Sequence, residues 1–214
     1  MTEFVTDHFN LAQICQSGQC FRMKEEGENR YRVIAGKRCL ELEQQGQRCR
    51  FECDKEEFDE FWKEYFDLEA DYGLYTGQVA GTDNYLRNAA EFGAGIRILR
   101  QDLWEMIVSF LISQQNHILR IRRCIENICT EYGEKLEDGQ GKAYHAFPTP
   151  QVLASLPEDA LMVCNLGYRS KYVVRAARSV AEGECSLAAI RKLPYPEARA
   201  SLLQLYGVGE KVAD

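Results

Sequence analysis

The sequence predicts an α+β protein, a small antiparallel β-rich module followed by a helical domain, divided as 1–100 and 101–214. Two successive patterns carry that expectation. From Cys20 to Cys53 apolar and polar residues alternate at period two, and after Asp54 the spacing becomes that of amphipathic helices. Length is the third observation. A chain of 214 residues with 45% hydrophobic content can build one large or two small domains, with a core that needs neither metal nor disulfide.

Alternation is clearest in Arg38-Cys39-Leu40-Glu41-Leu42-Glu43 and in Arg48-Cys49-Arg50-Phe51-Glu52-Cys53. Period two sends successive side chains to opposite faces, so these stretches read as antiparallel strands with one buried face. Gly36 and the Gln44-Gln45-Gly46-Gln47 stretch supply the turns. Beyond Asp54, Phe58, Phe61, Trp62, Tyr65 and Phe66 fall at i, i+3, i+4, i+7 and i+8 with acids between them, the stripe of a helix covering a core. A helix on a sheet buries such a stripe in any case, so these aromatics are assigned to the core rather than to a ligand box. Further helices are expected near 83–92, 102–114, 117–131, 157–163, 169–182 and 196–205. Gly133, Gly139, Gly141 and Pro148-Thr149-Pro150 punctuate them. There is no internal repeat and no low-complexity tract.

Nine cysteines are scattered without a Cys-x-x-Cys pair or a leading signal peptide, the pattern of reduced, mostly buried thiols in a cytosolic protein. A zinc or iron–sulfur site needs clustered ligands, and the three histidines, at 8, 117 and 145, do not cluster. No metal and no cofactor is therefore expected. The longest apolar stretches, such as Met106 to Ile112, fall far short of the about 20 residues of a membrane span, so no membrane partner is expected either.

A net charge of −7, evenly spread, would argue against phosphate contacts. It is not evenly spread. Residues 52–71 hold ten acids against Lys55 and Lys63, whereas 113–123 and 164–180 hold seven basic residues and no acid. That asymmetry permits one basic face on an acidic protein.

The chemistry-bearing stretch is the last nineteen residues, Pro196 to Asp214. A helix with apolar Ala198, Leu202 and Leu205 stops at Gly207-Val208-Gly209, and a second helix starts at once. Two glycines around one apolar residue let the backbone turn sharply and leave amide N–H groups at the new helix start, an end that binds phosphate. A pair of ordinary C-cap glycines explains the same spacing. Lys211 bears on the choice, because a lysine in a first helical turn opposes the macrodipole at a cost of about 0.3–1 kcal/mol. The same field lowers an amine pKa by only about 0.7 unit from a reference near 10.4, so desolvation or a cationic neighbour must supply the rest of any activation. From the residues alone, phosphate contact and nucleophile both remain open for Lys211.

Leu205 to Asp214 closely resembles the helix-hairpin-helix of the 8-oxoguanine DNA glycosylase / AP lyase family. Three other stretches are similar in the same order: Ser17-Gly18-Gln19-Cys20-Phe21-Arg22, Ser109 to Ser113 continuing to Ile121, and Leu166-Gly167-Tyr168-Arg169-Ser170-Lys171-Tyr172. The resemblance implies a twisted antiparallel sheet packed on an all-α helix-hairpin-helix domain, with duplex DNA containing an oxidised guanine in the cleft, bound by a monomer. It implies that Lys211 attacks the sugar C1′ of a flipped nucleotide, expels the base and forms a Schiff base that β-elimination turns into a strand break. Neither Gln nor Arg supplies such an amine.

The resemblance further implies that the Gly18 carbonyl accepts a hydrogen bond from the N7–H that only the oxidised purine carries, with Phe21 in the same substrate-binding motif. An ordinary Ser-Gly turn is the alternative for Gly18. Arg120 and Arg169 match arginines that engage the unpaired cytosine, with solvated helix-face arginines as the alternative. Tyr168 is either a wedge at the exposed base step or plain packing.

Two positions depart from the family. Its central Asn-Asn pair reads Gln115-Asn116 here, so the longer Gln115 would fill the vacated stack with the same amide donors and acceptors. Tyr206 stands where a proline is common. The family also continues beyond the equivalent of Asp214 to an activating aspartate and a helix that stacks on the flipped base. The chain is accordingly expected to be a fragment. A damaged-DNA-binding protein without catalysis, or an inactive fragment, using Gly207, Val208 and Gly209 only on phosphate, is the competing expectation. The expected location is cytoplasmic, at the nucleoid if the source is bacterial.

Overall fold

A computed structural model of the chain describes residues 1–79 and 83–214. They form two compact units, Met1–Ile34 with Arg38–Gln101, and Ala35–Lys37 with Asp102–Asp214.

The first unit is built on a five-stranded antiparallel sheet. Its elements are β1 (Thr2–Val5), α1 (Leu11–Gln16), β2 (Met23–Gly27), β3 (Arg30–Ala35), β4 (Arg38–Gln45) and β5 (Arg48–Phe51), with strand order β1-β5-β4-β3-β2. The register pairs Leu42 with Phe51 and Gln44 with Cys49, and the alternation buries Leu40, Leu42, Cys49 and Phe51 together. Gln44 and Gln45 belong to β4, which leaves Gly46 and Gln47 as the turn, with Gly46 at φ 60°. A further turn at Glu28-Asn29 uses Asn29 in the left-handed region at φ 57°.

Onto this sheet folds a helical stretch of α2 (Lys55–Glu57), a π-helical segment Phe58–Trp62 and α3 (Lys63–Tyr65). Asp54 caps its start, its carboxylate accepting from the Glu57 amide at 2.8 Å. The π-segment widens the turn, so Phe58, Trp62, Tyr65 and Phe66 are buried while Phe61 is only half-buried under the Arg38 guanidinium at 4.3 Å. Phe58 and Phe66 meet Phe51 at 4.9 and 5.9 Å between ring centroids.

The unit continues through α4 (Tyr72–Thr76) and α5 (Asn84–Phe92) to a buried arginine, Arg97. Its Nε donates to the His8 carbonyl, Nη1 to those of Asp67 and Ala70, and Nη2 to the Asp7 carbonyl and Thr6 Oγ1, over distances of 2.6–3.2 Å. Burial pushes its pKa downward, and the Tyr72 ring lies 4.6 Å beneath it. One planar cation thus ties together the 6–8 and 67–70 turns.

In the second unit α6 (Leu103–Ser113) is apolar nearly all round and central, burying Trp104, Ile107, Val108, Leu111 and Ile112. Asp102 caps it, accepting from the Glu105 amide at 3.0 Å. Around it lie α7 (Ile118–Tyr132), α8 (Pro150–Ala154), α9 (Arg169–Ala181), α10 (Leu187–Ile190), α11 (Tyr195–Leu202) and α12 (Glu210–Ala213), with a short 3-10 segment at Ala160–Cys164. The helix expected at 157–163 is therefore a shorter 3-10 segment that starts only at Ala160. Two features depart from an uninterrupted run of helices. Residues 135–137 and 143–145 pair as a β6 (Lys135–Glu137) and β7 (Ala143–His145) hairpin, and Thr149-Pro150 starts α8 instead of interrupting the chain.

Among the described residues no helix is long and apolar enough to cross a membrane, and no group of three His, Cys, Asp or Glu side chains is placed to hold a metal. Eight of the nine free cysteines are buried, with Cys39 intermediate. Burial pushes the Cys49 thiol up to about 12 and those of Cys53 and Cys164 up to about 11.

Candidate active site

In the second unit the hairpin between α11 and α12 is anchored by its own apolar residues. Leu205 and Val208 are buried, and the Val208 amide closes the turn on the Leu205 carbonyl at 3.0 Å. Gly207 sits at φ 89°, where an L side chain is strained, and a Cβ there would lie 2.7 Å from Tyr172 Cγ. Its glycine is thus required twice, by backbone and by space. Gly209 has different reasons. It is extended, at φ −99° and ψ 178°, as the N-cap of α12, and a Cβ would meet nothing within 4 Å. That side of Gly209 is open to an approaching group.

Lys211 is the second residue of α12 and is exposed. The carbonyls of Gly209 and Glu210 receive the amides of Val212, Ala213 and Asp214, while the Glu210 and Lys211 amides make no backbone hydrogen bond among the described residues. α12 is held to α11 by a polar clamp in which Arg199 Nε and the Tyr195 hydroxyl both donate to Asp214 Oδ1 at 2.5 Å. These donors hold the Asp214 carboxyl below its ordinary range.

The turn from α6 to α7 meets the same hairpin. Gln114 Nε2 donates to the Gly207 carbonyl at 2.8 Å. Gln115 adopts φ 47° with an exposed side chain. Asn116 is spent on the turn itself, its Nδ2 donating to the Ile112 carbonyl at 3.1 Å and its Oδ1 accepting from the His117 amide at 3.0 Å. The buried Arg169 clasps this turn: Nε donates to the Gln114 carbonyl at 2.9 Å, and Nη2 donates to it as well as to the Gln115 carbonyl at 3.1 Å. The guanidinium fork therefore shapes the turn that presents Gln115, an internal task that solvated arginine would not perform.

Arg120 is exposed, with Nη2 donating to the Asn165 carbonyl at 3.3 Å. That contact steadies the loop 165–167, whose Asn165 and Gly167 have φ 66° and 57°. Tyr168 follows, 49% exposed, under the Arg169 guanidinium at 4.6 Å. Tyr168, Tyr172 and Tyr206 form an edge-to-face ladder with centroids 5.6 and 5.4 Å apart. Arg175 lies 4.4 Å over Tyr206 and is bidentate to Glu158 at 2.8 and 3.0 Å, which pulls the Glu158 carboxyl down and the guanidinium up. Arg178 donates to the carbonyls of Ala154 and Leu156 at the end of α8. Three of the four basic residues on α9 are thus structural, and the basic face that composition suggested is narrower than the count implies.

Gln114, Tyr172 and Arg175 were not singled out by sequence reasoning. Tyr172 had a signal, since it stands four residues after Tyr168 on one helix face. Gln114 and Arg175 had none, because their partners lie far away in the chain.

In the first unit Gly18 follows the C-cap of α1 at φ 78°, a conformation that favours glycine. The flanking turn is pinned by Gln19, whose Nε2 donates to the Arg97 carbonyl at 2.8 Å and whose Oε1 accepts from the Leu99 amide at 2.9 Å. No hydrogen bond to the Gly18 carbonyl is found among the described residues. Phe21 is buried, 5% exposed, so its ring belongs to the core of this unit.

Residues 3–107 match the 8-oxoguanine DNA glycosylase N-terminal domain, and residues 108–210 match the HhH-GPD superfamily of base excision DNA repair proteins. The N-glycosylase/DNA lyase of Saccharomyces cerevisiae is 37% identical over 131 residues, an alignment covering 56% of this chain and 35% of the relative. The chain thus spans about a third of that relative's length. The Clostridium acetobutylicum 8-oxoguanine glycosylase/lyase is 38% identical in its apo form, with a TM-score of 0.91 over 97% of this chain and 73% of that one. Its complex with double-stranded DNA containing cytosine opposite 8-oxoguanine gives 0.92 over 97% and 71%. By these matches the chain belongs to the 8-oxoguanine DNA glycosylase family of the helix-hairpin-helix superfamily.

Proposed function

We propose that this protein acts in base-excision repair on double-stranded DNA, removing 8-oxoguanine and cleaving the resulting abasic site through a lysine Schiff base. The observation that carries the reading is the placement of Lys211 in the first turn of α12, exposed, directly after a hairpin fixed by Tyr172 and Gln114. Residues 1–100 and 101–214 act as the two glycosylase modules of a monomer that needs no metal or cofactor, working in the cytoplasm or at the nucleoid.

In this reading Nζ of Lys211 bonds to C1′ as the C1′–N9 bond breaks, and the proton that this nitrogen sheds leaves with the base. Ring opening gives the iminium, loss of a C2′ proton expels the 3′ phosphate, and water releases the lysine. The open side of Gly209 and the unpaired amides at the start of α12 receive a backbone phosphate. Gln115 enters the gap left by the flipped base, helped by its left-handed backbone and exposed side chain. Tyr168 abuts the neighbouring base step, and Arg120 faces the cytosine. Arg169 serves the cytosine only with donors left over from the turn it clasps. Gly18, with its carbonyl unengaged, reads the N7–H of the lesion, and Phe21 supports that turn from the core.

The test is base release and strand cleavage on duplexes carrying 8-oxoguanine or guanine opposite cytosine. Both products are expected from the lesion duplex, neither from the guanine duplex, and both are lost in Lys211→Gln. Salt-sensitive binding with no base release, only slightly weakened in Lys211→Gln, would identify a binding protein instead.

A further inference from the structure

Resting on the lysine-centred reading above, we infer that Gln114 is a positioning residue for that reaction, linking the turn that carries Gln115 to the hairpin that carries Lys211. Its side-chain amide donates to the Gly207 carbonyl at 2.8 Å, across 93 positions of sequence. Its own carbonyl accepts two N–H groups of the buried Arg169, whose Nη2 also reaches the Gln115 carbonyl. Gly207 is therefore held on two sides, by the Tyr172 ring against Cα and by the Gln114 amide on its carbonyl.

Such anchoring matters because Lys211 stands in the first turn of α12, two residues after Gly209. The direction of its first turn, and of Lys211 on it, follows the grip on the hairpin at one end and the Asp214 clamp to α11 at the other. Gln114 suits the task because it is long enough to reach Gly207 from the end of α6 and ends in a donor. Its neighbour Gln115 has a left-handed backbone that insertion into DNA would load, and Arg169 and Gln114 are the bonded route from that backbone to Gly207.

Two variants remove the donor at nearly constant volume. Gln114→Leu is apolar, and Gln114→Glu turns a carboxylate oxygen toward the Gly207 carbonyl. For both we expect single-turnover release of 8-oxoguanine to slow roughly tenfold to a hundredfold, as misplacing a reacting group by about 1 Å does. The Kd for a duplex with an uncleavable abasic analogue should change less than about threefold. Amide hydrogen exchange of residues 207–213 in the DNA-free protein should quicken roughly fivefold to tenfold, the loss of one hydrogen bond, while α6 and α9 keep their protection. Release at the wild-type rate in both variants overturns the inference. So does a parallel loss of binding, or of protection throughout the second unit, which would mark a merely structural role. If the wild type released no base, the lysine-centred reading would fall. Unchanged exchange at 207–213 in Gln114→Leu would separately refute the anchor.

Discussion

Replacing Gly207 by alanine isolates the two forces that shape the hairpin. At φ 89° an L residue is strained, and the new methyl would stand 2.7, 2.9 and 2.9 Å from Cγ, Cβ and Cδ2 of Tyr172. Left-handed backbone costs a non-glycine residue roughly 1–2 kcal/mol, and overpacking of this kind costs about 1–3 kcal/mol. Gly207→Ala should therefore destabilise the fold by about 2–5 kcal/mol, a large share of the roughly 5–15 kcal/mol that holds a domain together. Urea unfolding followed by circular dichroism measures it. In a Tyr172→Ala background the ring atoms are gone and only Cβ remains, so the penalty should fall by about 1 kcal/mol while the backbone strain persists. Gly209→Ala is the control, expected within about 0.5 kcal/mol of wild type because a weaker N-cap is offset by a less flexible unfolded chain. A cost below about 1 kcal/mol for Gly207→Ala, or the same cost in both backgrounds, would show that backbone strain and the Tyr172 ring do not shape this hairpin.

Arg97→Ala strands four backbone carbonyls in the first unit and should cost roughly 3–5 kcal/mol in the same assay, with Arg97→Lys recovering only part because it has fewer donors. Glu158, held below its ordinary 4.5 by Arg175 and Arg178, contributes stability above that pH and loses it as pH falls through the depressed value. Wild type should accordingly lose stability between pH 4.5 and more acid conditions, and Glu158→Gln should flatten that part of the profile. An unchanged profile would put the effect elsewhere. Iodoacetamide at pH 8 should label Cys39 first, with Cys49, Cys53 and Cys164 reacting only on unfolding, because burial keeps them as thiols. Peptide mass spectrometry reads the order, and early labelling of Cys49 would contradict it.

The parts of the fold legible in the sequence were those written in local period. Alternation from Arg38 to Phe51 marked β4 and β5, and the aromatic stripe after Asp54 marked a helix on the sheet. The π-segment was hidden because its buried residues still fall near helical spacing, and only Phe61 is displaced. β6 and β7 are three residues long, too short for a period to register. Gly139 and Gly141 were legible as breaks but not as a hairpin loop, whose shape comes from Asp138 Oδ1 accepting the amides of Gln140 and Lys142.

At the site, the glycine spacing before Lys211 was local and readable. What grips the hairpin was not. The Gln114 bond to Gly207 and the Arg169 clasp on Gln114 join residues 93 and 55 positions apart, and no window of sequence contains both ends. Arg169 shows the consequence. Its place in a motif suggested a hand for DNA, whereas burial and three bonds to the Gln114-Gln115 carbonyls give it a share in building the turn.

In the proposed reaction Lys211 is the residue that bonds to the sugar. Borohydride reduction during reaction with an 8-oxoguanine duplex, followed by nuclease and protease digestion and mass spectrometry, locates the bond. A reduced deoxyribose remnant is expected on the peptide containing Lys211, absent in Lys211→Gln. An adduct on another lysine, or one that persists in Lys211→Gln, would contradict it.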